Sequence, residues 1–534
     1  MKLSKLFSDG MILQRQTINT IPVFADKDET VTVHFDEKEM PVTFKEDRFE
    51  VELPSQEAGG PHTIVVSDGT DKIEIKDVYF GDVYVLGGQS NMELPVIWTT
   101  DCHYDEIVSA DFPLIRQFEV PKIPDFDKKH VLYEDGHWAN CDQKNVWLFS
   151  AIGFYFAKEK FAKDGVPVGL IQTAVGGAPV EALMSEENLI SSFEAIKSKG
   201  NLTGKCNNVK SKCCIFCYED MLKRDHDKAL VEKTIKEDLA RQDAWHKDLA
   251  DRDPGFAEHW ENTWDSSISC ETFNMPQTFL GTKYEDFKGS IWLQKEVDVP
   301  KDWCDQRVEL RLGTLIDSDT TYVNGKKVGE FGFKYPPRRY FMEPGTLFAG
   351  KNTITIRLGI DGNIGGAVPE CPYVLKLGEK EISLEGEWKM RVGTVSERLV
   401  GQTFFIWSPV GLFNSMIHPL KDVKCKAIFF YQGESNCEYP QYYAPLLKDM
   451  VKEWRDVIGE QVPFVMAEVT YWLGDGPVYD SDPFDGVRNV QREVIQEIPD
   501  GYLVKTYDLG KYNDLHPQNK KEVAMRFWEI CEKL

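Results

Sequence analysis

The chain has 534 residues, too many for one hydrophobic core, so its length predicts about two to four domains. Its 87 acidic and 62 basic side chains give a net charge of −25, which repels phosphate backbones and anionic headgroups and argues against nucleic-acid and membrane partners. There is no run of about 18 apolar residues, and the first ten residues lack the apolar core of a signal peptide. We therefore expect a cytoplasmic protein with reduced cysteines.

The first part of the chain, residues 1–78, predicts a small β-domain. Short strands with alternating apolar residues lie at 30–35, 42–44, 49–53, 62–66 and 72–76, with turn residues between them. This pattern is typical of an antiparallel N-terminal β-sandwich.

In the next part, residues 79–286, the sequence pattern changes to alternating predicted strands and helices, which is typical of an α/β fold. An apolar run at 83–86 predicts a buried strand, which ends at two glycines just before Ser90. A helix at 148–164 and a strand at 167–173 follow, and that strand ends in a second turn with Gly176 and Gly177. Strand, helix and strand in this order imply a right-handed parallel unit with both turns at one edge of the sheet.

Residues 287–392 predict a second all-β module that interrupts the α/β chain. Alternating strands lie on both sides of Asn324-Gly325, a dipeptide that strongly favours a hairpin.

The alternating pattern of predicted strands and helices resumes over residues 393–534. The predicted strand at 427–431 runs directly into Gln432, and the last strand, at 502–506, leads to Asp514 and His516. Helices are predicted at 442–458, 486–495 and 520–533. The strand ends of the two α/β segments can therefore meet at one rim, where α/β sheets bind ligands.

These strand ends carry the groups that a nucleophilic serine needs. A nucleophilic Ser90 requires a base within hydrogen-bond reach, and a histidine such as His516 is the usual base. The carboxylate of Asp514 could hold the imidazole of His516 in the required tautomer. The N–H groups of Ser90 and the glycine turn, with the amide of Gln432, would stabilise a tetrahedral oxyanion.

The motifs also resemble a known family. Gly-Gln-Ser-Asn-Met (88–92), Gly-Gly-Ala-Pro-Val-Glu-Ala (176–182), Tyr-Gln-Gly-Glu-Ser-Asn (431–436) and Asp-Leu-His-Pro (514–517) look like the blocks of sialate O-acetylesterases, which are SGNH-type carbohydrate esterases. The opening, residues 6–15, is also similar to that family. The resemblance implies a flavodoxin-like α/β/α core, and a jelly-roll, sugar-binding-like module at 287–392.

The resemblance implies hydrolysis of O-acetyl esters on carbohydrate, above all on O-acetylated sialic acid. It assigns Ser90 as nucleophile, His516 as base, and Gly177 (or Gly176) and Gln432 as oxyanion donors. The wider SGNH pattern has an aspartate three residues before the histidine, where this chain has Asn513. Either Asp514 or a backbone carbonyl would then orient His516.

Further side chains near these turns are candidates for substrate contact. They are Gln89, Asn91, Glu434 and Arg488, the last as a partner for a sugar-acid carboxylate. Trp98, Trp147 and Trp472 are candidates for sugar stacking, although large aromatic residues more often belong to the core. His418 is the rival base.

Other functions stay open. An acetylesterase for xylo- or manno-oligosaccharides is the first alternative, and a non-catalytic carbohydrate-binding protein is the second. A glycosidase with the carboxylates of Glu434 and Glu181 is a third. We expect no cofactor and no metal, because Cys206, Cys213, Cys214 and Cys217 lack two separated C-x-x-C pairs. The partner is a small-molecule or oligosaccharide substrate, and both a monomer and a homodimer are compatible with the sequence.

Overall fold

The centre of the molecule is a mainly parallel β-sheet. The structure, a computed structural model, describes residues 1–199, 217–264, 269–474 and 479–534. The strands of the central sheet are, in spatial order, Trp138–Cys141, Phe112–Glu119, Val168–Gln172, Lys72–Gly88, Ala427–Tyr431, Phe464–Ala467 and Gly501–Val504. Trp138–Cys141 pairs antiparallel with its neighbour, and the other pairs are parallel.

Helices cover both faces of this sheet. Because side chains alternate along a strand, Val83 and Val85 face one layer while Tyr84 and Leu86 face the other. Helices Ala151–Asp164 and Lys520–Cys531 pack on the Tyr84 face, and helices Pro440–Ile458 and Asp485–Val494 pack on the opposite face. The predicted α/β class is confirmed.

One strand connects the N-terminal region to this sheet. Lys72–Gly88 is continuous over 17 residues, so the boundary predicted after residue 78 falls inside it. Its first half pairs with Gly59–Ser67 and its second half with the central sheet. The other N-terminal strands are Ile12–Gln14, Asn19–Val23, Thr32–Phe35, Lys38–Met40, Val42–Lys45 and Arg48–Leu53.

A second set of β-sheets follows residue 270. Its larger sheet contains, in spatial order, Glu271–Met275, Gly386–Val395, Gly289–Val299, Gly350–Ile360, Ser318–Val323 and Lys326–Phe331. Its smaller sheets contain Arg339–Met342, Val308–Leu312, Tyr373–Leu377, Lys380–Ser383, Leu315–Ile316 and Gly366–Ala367. The predicted hairpin is confirmed, because Asn324 and Gly325 have φ of 51° and 79° between two paired strands. Since Glu271–Met275 pairs with Gly386–Val395, these sheets begin before residue 287.

The remaining helices lie mostly outside the central layers. They are Ser90–Glu93, Tyr104–Val108, Glu186–Lys199, Tyr218–Asp225, Lys228–Asp251 and Pro254–Ala257. In the part of the chain that the structure describes, none of the helices is long and apolar enough to cross a bilayer.

Candidate active site

Ser90 lies where the long strand Lys72–Gly88 leaves the central sheet. Gly88 has φ of +119°, and a Cβ there would come within 2.2 Å of the backbone oxygen of Tyr431 on the next strand. Only glycine fits this turn, which places Ser90 at the first position of helix Ser90–Glu93. Ser90 therefore stands at the carboxyl-end rim of the parallel sheet, as the sequence predicts.

His516 meets Ser90 at this rim. Its Nε2 lies 2.8 Å from the Ser90 Oγ, which is hydrogen-bond distance. The side-chain amide of Asn91 donates to the backbone oxygen of Leu515 at 3.2 Å, so the residue after the serine holds the loop of the histidine. This contact is the arrangement that activates a serine for nucleophilic attack.

The third member of the predicted triad does not contact the imidazole ring. The Asp514 carboxylate accepts the backbone N–H of His516 at 2.8 Å. Among the described residues, neither Asp514 nor a backbone carbonyl accepts a hydrogen bond from Nδ1 of His516. The expectation that Asp514 orients the ring directly is therefore not supported, since its short side chain is already committed to the turn.

Burial keeps His516 neutral. The residue is only 8% exposed, and burial, together with the positive charges of Lys520 and Lys334, lowers its pKa to about 3. A neutral imidazole can accept the Ser90 proton over the whole neutral pH range.

The second glycine turn lies beside Ser90. A Cβ on Gly176 would lie 3.6 Å from the Ser90 Cβ, and the Gly176 N–H already donates to Glu93 at 2.5 Å. Among the described residues, none accepts a hydrogen bond from the N–H of Gly177 or of Ser90. Of the two glycines, Gly177 therefore has the N–H that can serve an oxyanion.

Gln432 has a different role from the predicted one. It is fully buried, and its side-chain amide donates to Asn436 at 2.7 Å and to the backbone oxygen of Ala178 at 3.3 Å. The Tyr443 hydroxyl donates to its side-chain oxygen at 2.8 Å. Because both amide hydrogens are used, Gln432 joins the two turns and does not supply an oxyanion donor here.

Three of the predicted substrate contacts are bonds between loops. The Gln89 side-chain oxygen accepts the backbone N–H of Ser435 at 3.3 Å. Asn91 donates to the Glu434 carboxylate at 2.6 Å and accepts from the Lys520 ammonium at 2.6 Å. Burial lowers the pKa of Lys520 to about 8. Gln89, Asn91 and Glu434 are thus connected inside the protein and hold the rim together.

Arg488 is also occupied by partners within the protein. It is 1% exposed, forms ion pairs with Asp482 and Asp485, and donates to the backbone oxygens of Val469 and Thr470. The predicted pairing with a sugar-acid carboxylate is not supported, because these bonds occupy the guanidinium group.

The rival base is excluded by position. His418 Nδ1 lies 2.6 Å from the backbone oxygen of His130, while the serine partner is His516.

Sequence reasoning missed one aromatic neighbour of the site. The ring of Tyr335, which belongs to the second β-module, meets the His516 ring edge-on with 4.6 Å between centroids. No motif marks Tyr335 as a site residue. Tyr335 belongs to the segment Lys-Tyr-Pro-Pro (334–337), whose sequence is typical of an exposed turn, so only the fold brings it here.

Metal ligands do not gather within the described ranges: no group of three or more His, Cys, Asp or Glu side chains could hold an ion there. Of the predicted cysteine cluster, Cys206, Cys213 and Cys214 lie outside the described residues, and Cys217 is buried.

Comparison with known proteins matches part of the chain to one family. Residues 381–527 match the family model of carbohydrate esterases described as sialic acid-specific acetylesterases. The sialate O-acetylesterases of Pongo abelii and Homo sapiens are 25% and 24% identical over 206 residues, which is 35% of this chain. The match spans 39% of the length of each of these two relatives.

A solved structure extends the likeness in fold. A carbohydrate acetylesterase from Xanthomonas citri aligns with 99% of this chain and 73% of its own, with a TM-score of 0.54 and 18% identity. At this identity the match shows the fold alone. The family match nevertheless agrees with the resemblance found in the motifs, because residues 381–527 are similar to the domain of carbohydrate esterases described as sialic acid-specific acetylesterases.

Proposed function

We propose that the chain is a serine esterase that hydrolyses O-acetyl esters on carbohydrate, with O-acetylated sialic acid as substrate. The observation that carries this proposal is the 2.8 Å contact between Ser90 Oγ and His516 Nε2. A non-catalytic sugar-binding protein has no need of this contact, and the family match supports an esterase.

The proposed reaction has two halves. Neutral His516 accepts the proton of Ser90 as its oxygen attacks the acetyl carbonyl, and the N–H groups of Ser90 and Gly177 stabilise the oxyanion. His516 then donates this proton to the sugar oxygen as the acyl C–O bond breaks, so that the sugar leaves with a free hydroxyl. A water molecule, deprotonated by the same imidazole, attacks the acetyl-enzyme and releases acetate.

We further infer the finer fold that the motifs imply. A flavodoxin-like SGNH core with a jelly-roll insert is supported by the parallel sheet with helices on both faces and by the separate β-module. A cytoplasmic location is proposed from the sequence alone, and cell fractionation with a tagged chain would test it.

A second substrate class is favoured by one observation. Arg488, the predicted partner of a sugar-acid carboxylate, is occupied by Asp482 and Asp485. Acetylated neutral oligosaccharides of the xylo or manno type are therefore the second candidate.

The test is acetate release from O-acetylated sialic acid and from acetylated xylotetraose. Ser90→Ala should lower kcat by at least about 10⁴-fold, because it removes the nucleophile. Ser109→Ala, which changes an exposed serine on the surface, is the matched control and should behave as wild type. Equal activity in Ser90→Ala and wild type would refute the proposal, and the faster substrate would identify the sugar class.

A further inference from the structure

A cleft of about 470 Å³ lies between the α/β part and the second β-module. One wall carries Trp98, Tyr104 and Trp147, and the other carries Phe331 and Phe341. Its volume is within the range of small-molecule sites, and its lining is mainly apolar and includes these five aromatic residues, as in many such sites. None of these side chains takes part in the ester chemistry described above.

The cations at the cleft are already paired. Arg339 donates to Glu309 at 3.0 Å and lies 3.9 Å from the ring centroid of Tyr104. Arg307 lies 3.3 Å from the Glu343 carboxylate and 4.2 Å from the ring centroid of Phe341. Both guanidinium groups thus support the aromatic walls and are balanced by carboxylates, so the cleft suits a ligand without charge.

One segment of the β-module joins the cleft to the active site. Tyr335 meets the ring of His516, and Phe333, two residues earlier, meets the ring of Trp98 with 5.8 Å between centroids. Two residues span at most about 7 Å of chain. The cleft and the Ser90–His516 pair are therefore neighbours that contact the same loop.

We propose that this cleft binds a neutral pyranose unit of an O-acetylated oligosaccharide whose acetylated sugar lies at Ser90. A pyranose ring has a flat face of C–H groups that packs on an aromatic ring, while its hydroxyls stay hydrated at the rim. This inference rests on the proposed esterase function and names the substrate class as an acetylated sugar that is carried on an oligosaccharide.

Binding tests the cleft without catalysis. In the Ser90→Ala background, calorimetry with unacetylated xylotetraose should show binding that Trp98→Ala weakens about tenfold, the loss of one stacking contact. Phe348→Ala, which changes a 58% exposed aromatic residue of the same module outside the cleft, is the matched control and should leave binding unchanged. If Trp98→Ala does not fold, Trp147→Ala tests the same wall.

Kinetics with the active enzyme gives the second measurement. The ratio of kcat/KM for acetylated xylotetraose to that for acetylated xylose should fall about tenfold in Trp98→Ala, through a higher KM for the tetrasaccharide. Hydrolysis of both substrates with an unaltered ratio would overturn the cleft inference and leave the esterase proposal standing.

Two further outcomes separate the proposals. If the wild-type chain releases no acetate but binds xylotetraose, and Trp98→Ala weakens this binding, the cleft inference is supported and the esterase proposal is overturned. Absence of xylotetraose binding, or equally tight binding of tetragalacturonate, would overturn the cleft as a site for neutral sugar.

Discussion

The turn at Gly177 offers the sharpest test of the oxyanion assignment. Gly177 has φ of +77°, and a Cβ there would lie 2.5 Å from two ring carbons of Trp407. The indole cannot simply move away, because its N–H donates to the backbone oxygen of Gly176 at 2.6 Å. Gly177→Ala should therefore push the turn itself away from Ser90.

The size of the effect follows from two costs. A left-handed conformation costs an L-residue about 1–2 kcal/mol, and forcing packed atoms apart costs about 1–3 kcal/mol more. Gly177→Ala should thus lower the free energy of unfolding by about 2–5 kcal/mol. If its N–H is an oxyanion donor, kcat for acetate release should fall about 10²–10³-fold in the folded fraction.

Gly165 supplies the matched control. It also has a left-handed φ, +68°, at the end of helix Ala151–Asp164, but a Cβ there meets nothing within 4 Å. Gly165→Ala should lower the free energy of unfolding only by the conformational cost, about 1–2 kcal/mol, and should leave kcat unchanged. Urea unfolding and acetate release would be measured on both variants. If Gly177→Ala and Gly165→Ala lose the same free energy of unfolding and have the same kcat, both the predicted clash and the oxyanion role of Gly177 are refuted.

Four further predictions concern the base His516, its neighbours and Arg488. Because burial lowers the pKa of His516 to about 3, the base stays neutral on acidification, so kcat/KM should hold level down to about pH 4, and a decline centred near 6.5 would contradict this. Lys520→Met removes a positive charge that lowers this pKa, so the acid limb of the pH–rate profile should move to higher pH; an unmoved limb would show that burial alone sets the pKa. Asp514→Asn retains an oxygen that can accept the His516 backbone N–H, so kcat should fall less than about tenfold, whereas a loss near 10⁴-fold would restore the triad. Arg488→Met leaves the buried carboxylate of Asp482 without its partner and should cost about 3–5 kcal/mol in urea unfolding; a raised KM with unchanged stability would instead return Arg488 to the substrate site.

The backbone of the site was predictable because it follows from topology. Parallel strands end at one edge of a sheet, so glycines after a strand and a histidine after the last strand had to lie near Ser90. The 2.8 Å Ser90–His516 contact agrees with that reasoning. The hairpin at Asn324 was equally local, since its dipeptide favours the required left-handed backbone.

The direction of the polar side chains was not predictable in the same way. Gln432, Asp514 and Arg488 all lie near the rim, but each is directed by partners far away in sequence or by its own turn. A sequence shows which donors and acceptors a loop carries, but it does not show which of them the fold has already satisfied. Tyr335 illustrates the converse, because a separate module supplies it.

The continuous strand Lys72–Gly88 has a consequence for engineering the protein. Asp82, in the middle of this strand, forms ion pairs with Arg15 of the N-terminal region and Lys160 of the helix layer, both at 2.8 Å. A chain cut after residue 78 would begin partway along the strand that carries Ser90 and would lose the Arg15 partner of a buried carboxylate. The N-terminal region therefore supports the strand that leads to Ser90. Grafting this active site onto another scaffold requires that the N-terminal region be transferred with it.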